Sequence, residues 1–328
     1  MIRILHRTPS APARTDLTIQ DLPSALKVPD SFTWLDLVDE AGADIAPLLE
    51  RDFGFHRLAI DDALVESHAP KLDDWGAYTY VNLHSVEVEG EHPAALRILE
   101  ADIFLGQNYI VTHQRKPAPA MDRVWAAVIR DERLAQRGSS FVLYHLTDEL
   151  VADVLPVVEA LGNEIDDVED RIFDSPDHRI LERIFGVRRS LLQLRRVLGP
   201  EREVLAKLAR GDARIVPEAD RVYFRDVYDH LFRLFELSEG LRDLASGALD
   251  TYISVQSNRL NEVMKALTII TTLFMPLSFL AAFLGMNFFL PPAGGTFWIG
   301  PGLLVIVLGL MVLLPLAMLG WMRRRAWM

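Results

Sequence analysis

The sequence predicts an α/β domain, then long stalk helices, then a C-terminal two-helix transmembrane hairpin. Three observations carry this. Short β-type runs crowd the first 140 residues, and apolar residues at helical spacing dominate from Phe141 onward. The 57 residues from Ala266 to Met322 contain no Asp, Glu, Lys, Arg or His.

In the first region, Phe32–Leu37, Tyr78–Val88, Arg97–Leu105 and Tyr109–His113 are rich in β-branched and aromatic residues and bounded by Gly, Asn or Pro, as strands are. Ala43–Asp52 and Ile60–Ser67 read as helices. Phe141–Phe173 places Val142, Leu146, Leu150, Val154, Val158, Leu161, Ile165, Val168 and Ile172 on one helical face. Ser175-Pro176-Asp177 ends that helix and starts another, which reaches Leu198. Gly199-Pro200 punctuates, and a further helical stretch runs to Ala209. From Glu218 no proline appears before Pro276, so one helix is predicted to run into the first apolar span.

A spanning helix needs about 20 apolar residues. The uncharged stretch holds two such lengths, Ala266–Leu284 and Phe297–Met322, separated by Pro291, Pro292, Gly294 and Gly295. Arg259 and Lys265 precede the first span, Arg323, Arg324 and Arg325 follow the second, and the loop between them is uncharged. That asymmetry places both termini in the cytoplasm. Trp298, Trp321 and Trp327 suit the interfaces, and the N-terminus lacks the apolar core of a signal peptide. The segments are therefore 1–140 (cytoplasmic α/β domain), 141–217 (cytoplasmic helical region) and 218–286 (stalk helix continuing into the first span). An external loop at 287–296, the second span at 297–322 and a basic tail at 323–328 complete the chain.

Composition narrows the function. The formal charge is −12, and the residues before Ala266 hold 31 basic against 46 acidic groups, a balance of −15. A nucleic-acid partner, which needs a basic face, is excluded on that ground. The absence of cysteine removes thiolate metal sites and cysteine nucleophiles. No Walker loop, His-Glu-x-x-His or Gly-x-Ser-x-Gly motif occurs, so no enzyme is expected.

Steps of four and three from Asp250 give one face: Asp250, Ser254, Ser257, Asn261, Met264, Thr268, Thr271, Met275, Ser278 and Ala282. Two readings fit this stripe of small, polar and methionine side chains. It is a seam for close helix packing, or it is the wall of a pore formed by several copies around an axis.

After the stripe comes Gly285-Met286-Asn287, and before it stand Tyr223-Phe-Arg-Asp-Val-Tyr-Asp-His230 and Ser257-Asn-Arg-Leu-Asn-Glu-Val-Met-Lys265. In this order, ahead of a two-span hairpin and a basic tail, the segments resemble the CorA family of divalent-cation transporters. Weaker similarity extends forward through Tyr144–Glu149 and Ile60–Leu64. The resemblance implies a CorA-like homopentamer in the cytoplasmic membrane that transports Mg²⁺, with Co²⁺ and Ni²⁺ as opportunistic ions. Gly285, Met286 and Asn287 would form the outer mouth. Ser278, Met275, Leu267, Met264, Asn261 and Asp250 would line the pore, with the apolar members as its constriction. Intracellular Mg²⁺ would also be the regulatory ligand, held between Asp226 of one subunit and Asp62 of the next, with Asp61, Asp148 and His230 near a second ion.

The sequence departs from the best-known magnesium members at three points. No acidic residue occurs between Phe288 and Gly300, Leu284 stands where tyrosine is frequent, and Ala282 where glycine is. The loop is reminiscent of the ZntB-like, zinc-transporting branch, proposed to move Zn²⁺ with protons. A third alternative is a cation-sensing membrane scaffold, with the stripe serving only as a seam.

Overall fold

A computed structural model describes residues 1–328 except 41, 66–68, 91–94, 175–176, 286–300 and 325–328. By its internal contacts the chain divides into Met1–Asp250 and Thr251–Met328.

The first unit is built on a seven-stranded sheet. Its strands are β1 (Ile2–Thr8), β2 (Ala11–Arg14), β3 (Phe32–Val38), β4 (Lys71–Asp74), β5 (Thr79–Val88), β6 (Leu96–Leu105) and β7 (Tyr109–Gln114). They lie in the order β2-β1-β3-β7-β6-β5-β4. Only β3 and β7 pair in parallel; β5 and β6 form a long antiparallel ladder from Thr79–Leu105 to Val88–Leu96. The four strands read from the sequence are all present.

Short α1 (Leu22–Ala25) precedes β3; α2 (Gly42–Phe53) and α3 (Arg57–Leu64) follow it. Their apolar sides share a core with Ile4, Leu35, Leu37, Tyr80, Phe104 and Val111 on one face of the sheet, where Phe55 stacks on Phe104 at 4.3 Å. The opposite face carries Trp34, Val81, Leu83, Ala101 and Ile103. It is covered by α4 (Pro119–Arg130), α5 (Glu132–Gln136), α6 (Ser139–Ala152), α7 (Val154–Asp174), α8 (His178–Arg210) and the first turns of α9 (Arg221–Gly285).

The helical region departs from the sequence reading at two prolines. The stretch read as one helix, Phe141–Phe173, is broken at Asp153 into α6 and α7. Pro156 lacks an N–H and falls in the first turn of α7, where that donor would have no intrahelical partner. Conversely, Gly199-Pro200 does not interrupt: α8 continues through it to Arg210. The carbonyl that Pro200 leaves without its N–H belongs to Arg196, an exposed position where water can serve it, while Val197, Leu198, Glu201 and Val204 stay buried around the proline. The start of α8 follows the sequence signal: Asp177 accepts hydrogen bonds from the backbone N–H of Arg179 and Ile180.

Two buried carboxylates have different solutions. Asp36 on β3, fully buried, is paired with Arg3 from β1 and accepts from Thr112 at 2.6 Å and Gln114 at 3.1 Å on β7. Glu201 on α8 accepts the backbone N–H of His84 at 2.7 Å, two residues beyond the last pairing of β5 with β4. Burial pushes its carboxyl up to about 8, partly opposed by that hydrogen bond. The folded protein thus holds this proton more tightly than the unfolded chain. The contribution to stability is complete below about 4.5 and is lost as pH rises toward 8. Glu201→Gln keeps the acceptor and removes the ionisation. Its unfolding midpoint should match the parent near pH 5 and exceed it near pH 8.5; a difference that does not grow with pH contradicts this assignment.

The second unit contains the end of α9 and α10 (Pro301–Arg324), both apolar and long enough to cross a bilayer. The predicted continuity of stalk and first span is present: α9 is one helix of 65 residues with Pro276 inside it. The 287–296 loop, Phe297–Gly300 and the last four residues lie outside the described residues.

Candidate functional site

Most of the membrane part of α9 is exposed in the single chain, apolar Ile270, Phe274 and Phe279 included. Ile269, Thr272, Leu273, Pro276, Leu277 and Leu280 recur at helical spacing and are half-buried. Asn261, Met264, Leu267, Thr268, Thr271, Met275 and Ser278 are all exposed in the single chain, Met264 by 54%, Leu267 by 56% and Met275 by 68%. Exposed polar groups on a helix apolar enough to span a bilayer need water or a second chain against them.

Two hydroxyls on this face are committed in a definite way. Thr268 Oγ1 donates to the carbonyl of Met264 at 2.7 Å, and Thr271 Oγ1 to the carbonyl of Leu267 at 2.8 Å. A hydroxyl has one donor and two acceptor lone pairs. With the donor spent on the helix, each oxygen offers lone pairs outward, which suits a cation or the hydrogens of its bound water. Further along α9, Asp250 is exposed. At the other end α9 stops at Gly285, and Met286 and Asn287 fall outside the described residues.

The expected regulatory residues divide into two groups. Asp61 and Asp62 lie on α3, which packs on one face of the sheet. Asp148 on α6 and Asp226 and His230 on α9 belong to the helices covering the other face. Asp226 and His230 are exposed. Asp148 and His230 line one groove of about 420 Å³, together with Val151, Leu155, Arg233 and Leu237. Burial pushes the Asp148 carboxyl above its usual range; His230 pulls it down, and the nearby Asp226 adds a smaller upward push. Asp62 sits apart from these residues, and Lys71 on β4 forms an ion pair with it. Among the described residues, no three His, Cys, Asp or Glu side chains meet in one chain to hold a metal.

Lys71 is the one element of this constellation that the sequence does not announce. It stands nine residues after Asp62, and the two meet only because α3 and β4 are neighbours in the fold.

Residues 29–324 match the family described as CorA-like Mg²⁺ transporter protein. The chain is 32% identical to the cobalt/magnesium transport protein CorA of Thermotoga maritima over 321 residues, covering 94% of this chain and 87% of that one. It is also 32% identical to the putative metal ion transporter YfjQ of Bacillus subtilis, covering 90% of each. In fold it matches the complete structure of the CorA magnesium transporter of Methanocaldococcus jannaschii, with a TM-score of 0.83 at 22% identity over 100% of this chain and 99% of that one. The chain belongs to the family of CorA-like Mg²⁺ transporter proteins.

Proposed function

We propose that the chain is one subunit of a homopentameric channel that carries Mg²⁺, with Co²⁺ and Ni²⁺ as lesser substrates, across the cytoplasmic membrane. Intracellular Mg²⁺ closes it. The observation that carries this reading is the stripe of polar and methionine side chains on α9, which is exposed in the single chain from Asn261 to Ser278. Two spans per chain cannot enclose a conduit, so the stripe becomes a pore wall only when several copies surround an axis.

The residues suit a hydrated divalent ion. Mg²⁺ prefers oxygen ligands and gives up its waters reluctantly. At the mouth, Gly285 ends α9 and lets the chain turn, while a ring of Asn287 amides accepts hydrogen bonds from the ion's waters and stays neutral enough to release it. Inside, Ser278, Thr271, Thr268 and Asn261 offer oxygens in succession. Met275, Leu267 and Met264 narrow the path with apolar side chains, which block ions by excluding water when the ring is tight. Asp250 adds an acidic ring at the cytoplasmic mouth. Both termini face the cytoplasm, where Arg323 and Arg324 end α10.

Regulation follows from charge. Each copy carries about fifteen net negative charges before the first span, so adjacent copies repel. A divalent ion shared by Asp226 of one subunit and Asp62 of the next, with Asp61, Asp148 and His230 near a second ion, cancels that repulsion. Loss of the ions loosens the ring and shifts the population toward the open state. Asp226 and the pore stripe lie on the same helix, which supports coupling between them.

The test is ion flux into liposomes containing the purified protein, comparing Mg²⁺, Co²⁺ and Zn²⁺ with and without an inward proton gradient. Mg²⁺ influx driven by voltage and indifferent to protons is the expected result. Zn²⁺ influx accelerated by protons would replace it with the zinc-transporting reading. No flux from intact oligomers at low internal Mg²⁺ would overturn transport and leave a sensing scaffold.

A further inference from the structure

We propose that Lys71 is a built-in competitor for the divalent cation at Asp62, and that its ammonium sets how much Mg²⁺ is needed to close the channel. This rests on the reading of Asp62 as a divalent-cation ligand and goes beyond it by naming the group that tunes its affinity.

The geometry is specific. Lys71 is the first residue of β4, paired in register with Asn82 of β5. Its Nζ is ion-paired with Asp62, lies 3.5 Å from Asp73 two residues along the same strand, and sits 5.2 Å from the centre of the Tyr80 ring. The ammonium therefore has two carboxylate seats and an aromatic face beside them. An ammonium has three donors and no acceptor. It occupies the Asp62 oxygen as a tethered monovalent cation, and a divalent ion arriving there meets both a filled ligand and a like charge. Asp73 provides the second seat: the lysine can leave Asp62 without losing all ionic partnership, so displacement is reversible.

The pair is solvent-accessible, with Lys71 31% and Asp62 44% exposed. Exposed pairs of this kind are screened and weak, so the competition amounts to a several-fold change in an equilibrium constant and not to a block. That is the range in which a regulatory site can be adjusted. A permanently buried pair would shut the site, and a lone carboxylate would let it saturate at lower Mg²⁺.

The experiment uses the full-length protein and two readouts: Mg²⁺ protection against limited proteolysis in detergent, and the internal Mg²⁺ that halves flux in liposomes. Lys71→Met and Lys71→Gln should lower both half-effect concentrations roughly fivefold. Lys71→Arg, which keeps the charge, should stay within about twofold of the parent. Asp62→Asn should raise both concentrations, and adding Lys71→Met to it should change nothing further. A raised or unchanged half-effect concentration in both neutral variants, with Asp62→Asn still raising it, overturns the role of Lys71 and leaves the Asp62 site standing. An Asp62→Asn protein that responds like the parent overturns the site itself. If Lys71→Arg shifts as far as Lys71→Met, the effect is one of shape and the charge argument fails.

Discussion

Replacing Asn287 by alanine should reduce Mg²⁺ influx to the background of empty liposomes while the oligomer still assembles. In the proposed mouth the ion keeps its waters, and only acceptor oxygens aimed at those waters can hold it. Alanine removes the amide from every copy at once, and the uncharged loop offers no carboxylate in its place, since no Asp or Glu occurs between Phe288 and Gly300. Assembly should survive, because α9, the long helix proposed to pack between copies, is described over Arg221–Gly285, ahead of this residue. Native mass and flux measured on one preparation check both halves; near-normal flux removes the mouth site.

Asp226→Ala should weaken the proposed closure by internal Mg²⁺ by about tenfold or more, because affinity of an oxygen site for a divalent cation follows its carboxylate charge count. Asp226 is exposed on the first turns of α9, between buried Phe224 and Val227. The substitution therefore leaves the core intact and removes one of the two bridging charges. Flux at low internal Mg²⁺ should be unchanged. Unchanged inhibition would locate regulation elsewhere. Together with the Lys71 variants, this gives opposite signs from neighbouring parts of one proposed site: loss of a carboxylate loosens ion binding, and loss of the ammonium tightens it.

Parts of this architecture were legible in the sequence because a simple period governs them. The strands β3, β5, β6 and β7 carry β-branched and aromatic runs, and the stripe on α9 repeats every three or four residues. Other parts depend on partners far along the chain. The β4 sequence, Lys-Leu-Asp-Asp, has no strand signature and is a strand only because β5 pairs with it from Lys71–Asn82 to Asp74–Thr79. In β1, Arg3 and His6 obscure the pattern; Arg3 is there to pair with the buried Asp36 on the next strand. Prolines were misjudged in both directions, since their effect depends on which carbonyl loses its partner and whether water reaches it. Within the candidate site the stripe on α9 was readable from periodicity, as a packing seam or a pore wall alike. The contact between Lys71 and Asp62 was not, because it is fixed by the placement of α3 beside β4 and by no local pattern.

The central claim is that the exposed stripe of α9 lines an aqueous cation path. The chain has no cysteine, so single cysteines can be introduced without background. Cysteines at Asn261, Thr268, Thr271 and Ser278, and at off-stripe Ile270 for comparison, should be treated with a charged, water-soluble thiol reagent during Mg²⁺ flux. Modification at the stripe positions should block flux, faster at low internal Mg²⁺, while the Ile270→Cys protein stays unaffected. Equal reactivity on both sides of the helix, or stripe cysteines inert to the reagent in a conducting channel, would contradict the account.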